Sequence, residues 1–303
     1  MQRMDATFRN YIEQLALPAK KPLLFHNGTA SPATQLPALH KWFSKDESTE
    51  RAFAAYMMKF QESGPFPYEL TLPSPEATDA VARFRDWLTG SADVMDHVLA
   101  GIIQSTLSEG EGQTFFQLYS PLRLLIRALE FNRSQESKAM STLHLYIAQS
   151  ALGELPSPLQ DDLPTPWLVQ RTGHVYSSSI WLGTTPTYTP LHRDPNPNLF
   201  CQLCGSKVVR LLPPSSGDRL FFEVQVKIRQ RGNSRIRTSE MMEGPERQAL
   251  HEAVWNPDTQ PEELHEVELS AGDALFIPVG WWHSVKSREA DSQLNGSVNW
   301  WFR

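Results

Sequence analysis

The sequence predicts an α+β chain whose second half is mainly β, on three observations. Apolar residues recur at helical spacing through much of 79–131. Short strand-like runs bounded by Gly, Pro, Asp and Ser dominate from 175 onward. The 303 residues carry 23 prolines and 16 glycines, too many turn formers for a helical bundle. Composition fits a chain able to bury a core, with 40% hydrophobic and 20% charged residues. A net charge of −6 argues against a surface that grips phosphate backbones throughout. Two cysteines provide no disulfide framework. No apolar run is long enough to span a membrane, and the polar first residues lack a signal core. A reducing compartment, cytoplasm or nucleus, is expected.

Taken in order, the elements read as follows. Val81, Phe84, Trp87 and Leu88 mark a helix over 79–88, and Val94, Val98, Ile102 and Ile103 a second over 93–107. Pro121 opens a third, over 121–131, with a strong apolar face. Prolines 65, 67, 73 and 75 break the chain ahead of these helices. The character changes near Thr142. Residues 143–148 read as a strand, and 155–167 as a proline-rich connection. Strands are then expected at 176–182, 198–203, 207–212, 220–228, 264–269, 274–277 and 296–302, with one helix around 245–254. This pattern indicates a β-sandwich or barrel. The expected division is a helical region, 1–141, followed by a β domain, 142–303.

The chemistry concentrates in 188–200. His192 and Asp194 are two residues apart, and on a strand residues i and i+2 face the same way. An imidazole and a carboxylate aimed at one point supply two members of a 2-His-1-carboxylate set, which binds Fe(II) and leaves positions open. The third ligand must come from a distant His. His283 is the candidate, following an apolar run and a Pro278–Gly280 turn. Lys207 shares a strand face with Val209 and Leu211, and an inward lysine on an apolar face calls for an anionic ligand.

These residues resemble the JmjC family of Fe(II)- and 2-oxoglutarate-dependent oxygenases, closest to its asparaginyl-hydroxylase-like branch. The resemblance covers roughly 142–303 and is tightest in 186–214 and 269–303. It implies a double-stranded β-helix, a jelly roll of the cupin type, with a helical N-terminal region. It implies iron ligands at His192, Asp194 and His283, which are also the catalytic set. It implies 2-oxoglutarate contacts at Lys207, Thr189, Asn198, Asn299 and, most loosely, Tyr146. Fe(II), 2-oxoglutarate and O2 are the implied reactants. Hydroxylation of a protein side chain, an RNA base or a small metabolite is expected. The alternatives are a histone lysine demethylase and a non-catalytic metal-binding cupin. No membrane partner is expected, and oligomeric state is not legible.

Two substrate contacts are offered. Trp301 shares a face with Asn299 and reads as a wall of the substrate pocket, and Arg193, between two ligands, points away from them toward the rim. Asp194 is the only carboxylate read as inward, so a neutral or anionic substrate is expected, with Trp282 and Trp301 as aromatics near the metal. The Cys201–Cys204 pair reads as strand packing. The basic run Lys227, Arg229, Arg231, Arg235 and Arg237 reads as a solvated loop.

Overall fold

The computed structural model describes residues 20–44, 50–74, 78–110, 112–135, 142–235 and 241–303. Among the described residues twelve strands form two antiparallel sheets. The larger is ordered β1 (Leu23–Phe25), β10 (Ala274–Ile277), β7 (Asn198–Cys204), β12 (Leu294–Phe302), β5 (Val175–Thr184), β4 (His144–Ala151), β2 (Phe66–Thr71) and β3 (Phe115–Ser120). The smaller is ordered β6 (Tyr188–Arg193), β11 (Trp282–Ser287), β8 (Lys207–Leu212) and β9 (His265–Leu269). The two sheets face each other as a jelly-roll sandwich.

Alternation along the strands builds three layers of core. Between the sheets, Phe200, Leu275 and Ile277 from the larger meet Val209, Leu211, Leu269 and Val285 from the smaller. Behind the larger sheet, Val298, Trp300 and Phe302 join one apolar cluster with Leu36, Trp42 and Phe43 and with residues of the N-terminal helices α1 (Asp79–Thr89), α2 (Val94–Glu109) and α3 (Arg123–Ser134), of which α2 packs against β3 and α3 against β4 and β5. Behind the smaller sheet, Leu191, Leu212 and Trp282 meet Phe221 and Val224 of α4 (Pro214–Lys227) and Leu250 and Val254 of α5 (Gly244–Trp255).

The structure adds strands β6 and β11, absent from the expected strands, and departs from the sequence reading at two further points. The region 1–141 holds the expected helices, but it also contributes β1, β2 and β3 to the larger sheet, so that sheet runs across residue 141. Pro67 masks β2 in the sequence. It sits one residue before the ladder with β4 begins at Tyr68, where its missing N–H costs that ladder nothing. Residues 220–228, read as a strand, lie mostly in α4. Phe221, Val224 and Gln225 are buried while Phe222 and Val226 are exposed, a helical period that β-prone residue types conceal. Pro214 opens that helix, and the bare Gly217 lets it lie against the Trp282 ring, where a Cβ would fall 2.1 Å from a ring carbon. Arg229, Arg231 and Arg235 are solvent-exposed, as is Lys227; Arg237 lies outside the described residues.

Candidate active site

The metal-ligand geometry follows from strand pairing. β6 and β11 are neighbours, and their register sets His192 directly opposite His283. Asp194 follows β6 immediately. Ligand atoms of the three residues lie within 4.8 Å of one another, and all three side chains are buried. The imidazole Nε2 of His192 is 3.9 Å from one Asp194 oxygen, and that of His283 is 3.5 Å from the other.

Surrounding groups fix each ligand. The His192 Nδ1 is 2.9 Å from the carbonyl of Pro190, and the His283 Nδ1 is 3.4 Å from that of Trp281. A carbonyl only accepts, so each Nδ1 carries the proton and each Nε2 presents its lone pair to the centre. Burial and the neighbouring His192 hold the His283 imidazole well below its usual pKa, which favours the neutral form that a ligand needs. The Asn198 amide donates to Asp194 Oδ2 at 2.9 Å and fixes the carboxylate.

Lys207 lies deeper between the sheets. Its amine donates to Ser297 Oγ at 2.8 Å and Tyr146 Oη at 3.1 Å and lies over the Phe200 and Tyr146 rings. Its side chain is 2% exposed, and no carboxylate among the described residues pairs with it; burial lowers its pKa to about 7. Tyr146 reaches it because its cross-strand partner is Gly183, where a Cβ would stand 2.3 Å from the tyrosine ring. Asn299 donates to Asn198 Oδ1 at 3.2 Å and accepts from the Trp181 indole at 2.8 Å. Thr189, Asn198, Asn299 and Trp301 line the same small chamber, of about 40 Å³, as the three ligands and Lys207.

The chamber opens into a cleft of about 460 Å³. Tyr146, Gln149, Trp181 and Thr189 line both spaces and form the throat. Gln149 sits at a β-bulge between Ile147 and Ser150 with φ +53°, a local turn of the strand that re-aims its side chain. The cleft is lined by Glu69, Glu154, Tyr68, Tyr119, Ser177 and Ser179 among others, with no Lys or Arg among its described lining. Burial pushes Glu69 up to about 7, against the pull of Arg247.

This corrects the expected charge pattern. Glu69 and Glu154 line the cleft, so Asp194 is not the only carboxylate facing the site. Trp282 lies on the opposite face of β11, its ring packed at a tilt against Phe221, because it is one residue out of phase with His283. Arg193 is on that outer face too. It donates to Asp218 at 2.8 Å and Ser234 at 3.2 Å, lies over Trp282, and lines neither chamber nor cleft. Trp301 lines the chamber but not the cleft. Cys201 and Cys204 are buried free thiols in the apolar layer, raised in pKa by burial. Sequence reasoning missed Ser297, although its spacing two before Asn299 gives it the same face. Glu69, Gln149 and Trp181 carry no comparable signal.

Residues 9–303 match the cupin-like domain family. The chain belongs to that family. Within the cupin superfamily it is similar to JmjC proteins. A lysine-specific demethylase of Arabidopsis thaliana, JMJ30, is 29% identical over 57% of this chain and 37% of its own length. Jumonji C domain-containing protein 5 of Drosophila melanogaster is 30% identical over 55% and 39%. The human bifunctional peptidase and (3S)-lysyl hydroxylase JMJD7 is 26% identical over 55% and 56%. The matched stretch is thus less than two thirds of each relative. No helix among the described residues is long and apolar enough to cross a membrane.

The site's residues fit the metal and cosubstrate of the JmjC oxygenases. With neutral histidines, the chamber holds one negative carboxylate, Asp194, and one positive amine, Lys207. A divalent cation bound with a dianion preserves that balance inside a buried space, where an unbalanced charge is costly. His192, Asp194 and His283 would hold Fe(II), and Lys207, Thr189 and Tyr146 would receive the far carboxylate of 2-oxoglutarate.

Proposed function

We propose that this protein is an Fe(II)- and 2-oxoglutarate-dependent hydroxylase acting on a basic side chain, lysine or arginine, of a protein. The observation that carries the oxygenase reading is the His192–Asp194–His283 set facing a buried lysine that pairs with no carboxylate among the described residues. Bound there, iron(II) and 2-oxoglutarate supply the oxidation of a C–H bond by O2, with succinate and CO2 as co-products. The chain's own part is positional. Asn198 orients Asp194, the backbone carbonyls hold the imidazoles, and Phe200, Val285 and Trp301 help keep water out of the chamber.

The choice of a basic side chain rests on the cleft. Its two carboxylates and the Gln149, Ser177 and Ser179 side chains supply acceptors for the N–H groups of an ammonium or guanidinium. Each methyl on the nitrogen removes one of those N–H groups, so unmethylated substrates use this lining more fully. A second reading, demethylation of methyl-lysine, is favoured by the Tyr146 and Trp181 rings, 6.1 Å apart at the throat, and by the demethylase names of several relatives. The test offers the iron-loaded protein unmethylated and methylated basic peptides with 2-oxoglutarate. A mass gain of one oxygen on unmethylated peptide supports hydroxylation. Formaldehyde release from methylated peptide alone selects demethylation, and no stimulation of succinate formation by any basic peptide sinks both.

A further inference from the structure

Beside the cleft lies a smaller pocket of about 120 Å³. Glu69, Tyr146 and Met242 line both spaces, so the two share a wall next to the throat. The rest of the pocket includes Thr71, His144, Tyr188 and, from α5, Arg247. Where the cleft has two carboxylates and no Lys or Arg among its described lining, this pocket has a guanidinium.

Arg247 is set apart by what it lacks. Its side chain is half-buried, and its Nε is fully covered with no hydrogen-bond partner. Among the described residues no carboxylate forms an ion pair with it, Glu69 included. It lies over the Tyr188 ring, 5.0 Å from the centre, and the Lys286 amine lies over the same ring at 5.4 Å. A ring face attracts the charge but gives the N–H groups no lone pair of ordinary strength. Burial lowers the Arg247 pKa, yet a guanidinium keeps its proton, so the covered N–H remains a donor without an acceptor.

The missing acceptor is best met by a planar monoanion. Nε and one Nη of a guanidinium present parallel N–H groups that match the two oxygens of a carboxylate. Glu69 on the shared wall limits the charge. It is negative above about pH 7, so a doubly charged phosphate meets more repulsion there than a carboxylate does. His144, held neutral by burial, offsets none of that repulsion.

We propose that this pocket receives a carboxylate that the substrate carries close to the basic side chain entering the cleft, with Arg247 as its donor. The substrate then meets opposite charges on the two sides of one wall. The inference rests on the basic-substrate reading above. It narrows that reading to a lysine or arginine with a carboxylate nearby, from an Asp or Glu side chain or from the end of the chain itself.

The test uses fluorescent peptides with a single lysine or arginine. Asp or Glu is set against Asn or Gln at each flanking position in turn, and a terminal acid against a terminal amide. Binding to Zn(II)-loaded protein with 2-oxoglutarate is read by anisotropy, and oxygen gain with the iron-loaded protein by mass. Wild-type protein should favour the carboxylate form at one position by about tenfold or more, and that position tells a side chain from a chain end. Arg247→Gln should bring the preference below about twofold. A merely structural Arg247 would weaken carboxylate and amide peptides alike and leave their ratio standing, which would overturn the proposal. So would equal binding of both forms by wild-type protein, or a stronger preference for phosphoserine than for Asp at the same position. Should Arg247→Gln not fold, Thr71→Glu places a competing carboxylate on the pocket wall with Arg247 still present. It should abolish the same preference, and an undiminished preference would count against the pocket. If no basic peptide of either form binds or gains oxygen, the basic-substrate reading fails and takes this inference with it. That result is distinct from basic peptides bound without regard to their carboxylates.

Discussion

The inner chamber and the outer cleft share a throat at Tyr146, Gln149, Trp181 and Thr189, yet they are built by different means. Chamber residues come from β4, β7 and β12 inside the larger sheet and from β6, β11 and β8 of the smaller, and side-chain bonds hold them: His192 to Pro190, Asp194 to Asn198, Lys207 to Ser297. Cleft residues come from the end of the larger sheet, on β2 and the edge strand β3, and from a bulge in β4. Tyr119 there is 68% exposed. A rigid chamber can keep one chemistry while edge strands and bulges change what enters. The chamber should therefore respond to substitution in metal and cosubstrate binding, and the cleft in substrate binding alone.

The largest effect belongs to the chamber. Asp194→Ala removes the only anionic ligand. Metal affinity should fall by more than the roughly 10–100-fold that losing an outer-shell partner costs, and Asn198→Ala should fall within that range. Metal content after dialysis, measured on both variants, checks the order; retention of metal by Asp194→Ala would remove it from the ligand set. Next comes Lys207→Ala, expected to leave metal bound and to raise the 2-oxoglutarate dissociation constant roughly tenfold to over a hundredfold. With its pKa lowered to about 7 by burial, Lys207 loses its proton as pH rises past 7 in the ligand-free protein. Binding a dianion then requires proton uptake, so affinity should fall about tenfold per pH unit above 7. Calorimetry in buffers of different ionisation enthalpy measures that uptake directly. A flat profile would mean that the lysine stays charged throughout.

A smaller effect is expected at the cleft. Glu69 is directly opposite Tyr146 in the ladder between β2 and β4, and burial raises its carboxyl to about 7. It is protonated below that pH and carries charge above it. KM for a basic peptide should therefore fall as pH rises through 7. Glu69→Gln should flatten that dependence and raise KM roughly tenfold at pH 8, with 2-oxoglutarate affinity unaltered. If the variant weakens the cosubstrate as much as the peptide, the separation between chamber and cleft is wrong.

The same contrast explains what the sequence disclosed. His192, Asp194, Asn198 and Lys207 lie within sixteen consecutive residues, a local cluster that a sequence can display, and strand alternation puts Asn299 and Trp301 on one face of β12. The cleft has no such local grammar. Glu69 is brought to Tyr146 by pairing across nearly eighty positions of sequence, on a strand that Pro67 disguises. Gln149 faces the throat through a positive φ at a bulge, where periodicity gives the wrong face. Helix α4 was hidden for a related reason: its β-branched and aromatic residues suit a strand, and only packing against Trp282 shows which side is buried.

The smallest effect is expected at Arg193, the residue that sequence alone put at the rim. It sits between two candidate metal ligands in the chain, and their place in the proposed site invites the same reading for it. Its backbone phase turns it outward, however, and its guanidinium is held by Asp218 and Ser234 above the Trp282 ring. The Arg193 and Asp218 side chains are 38% and 51% exposed, so water screens the pair. Arg193→Ala should cost less than about 1 kcal/mol of stability. Metal and 2-oxoglutarate affinities should stay at wild-type levels, and KM for a basic peptide within about twofold, since no surface of Arg193 lines the cleft. Thermal unfolding and peptide kinetics on this one variant test the boundary of the site. A substantial rise in KM, with cosubstrate binding intact, would extend the substrate surface past the cleft to the outer face of β6. A fall in metal affinity would show instead that the Asp218–Arg193–Trp282 stack holds β6 and β11 in the register that sets His192 opposite His283.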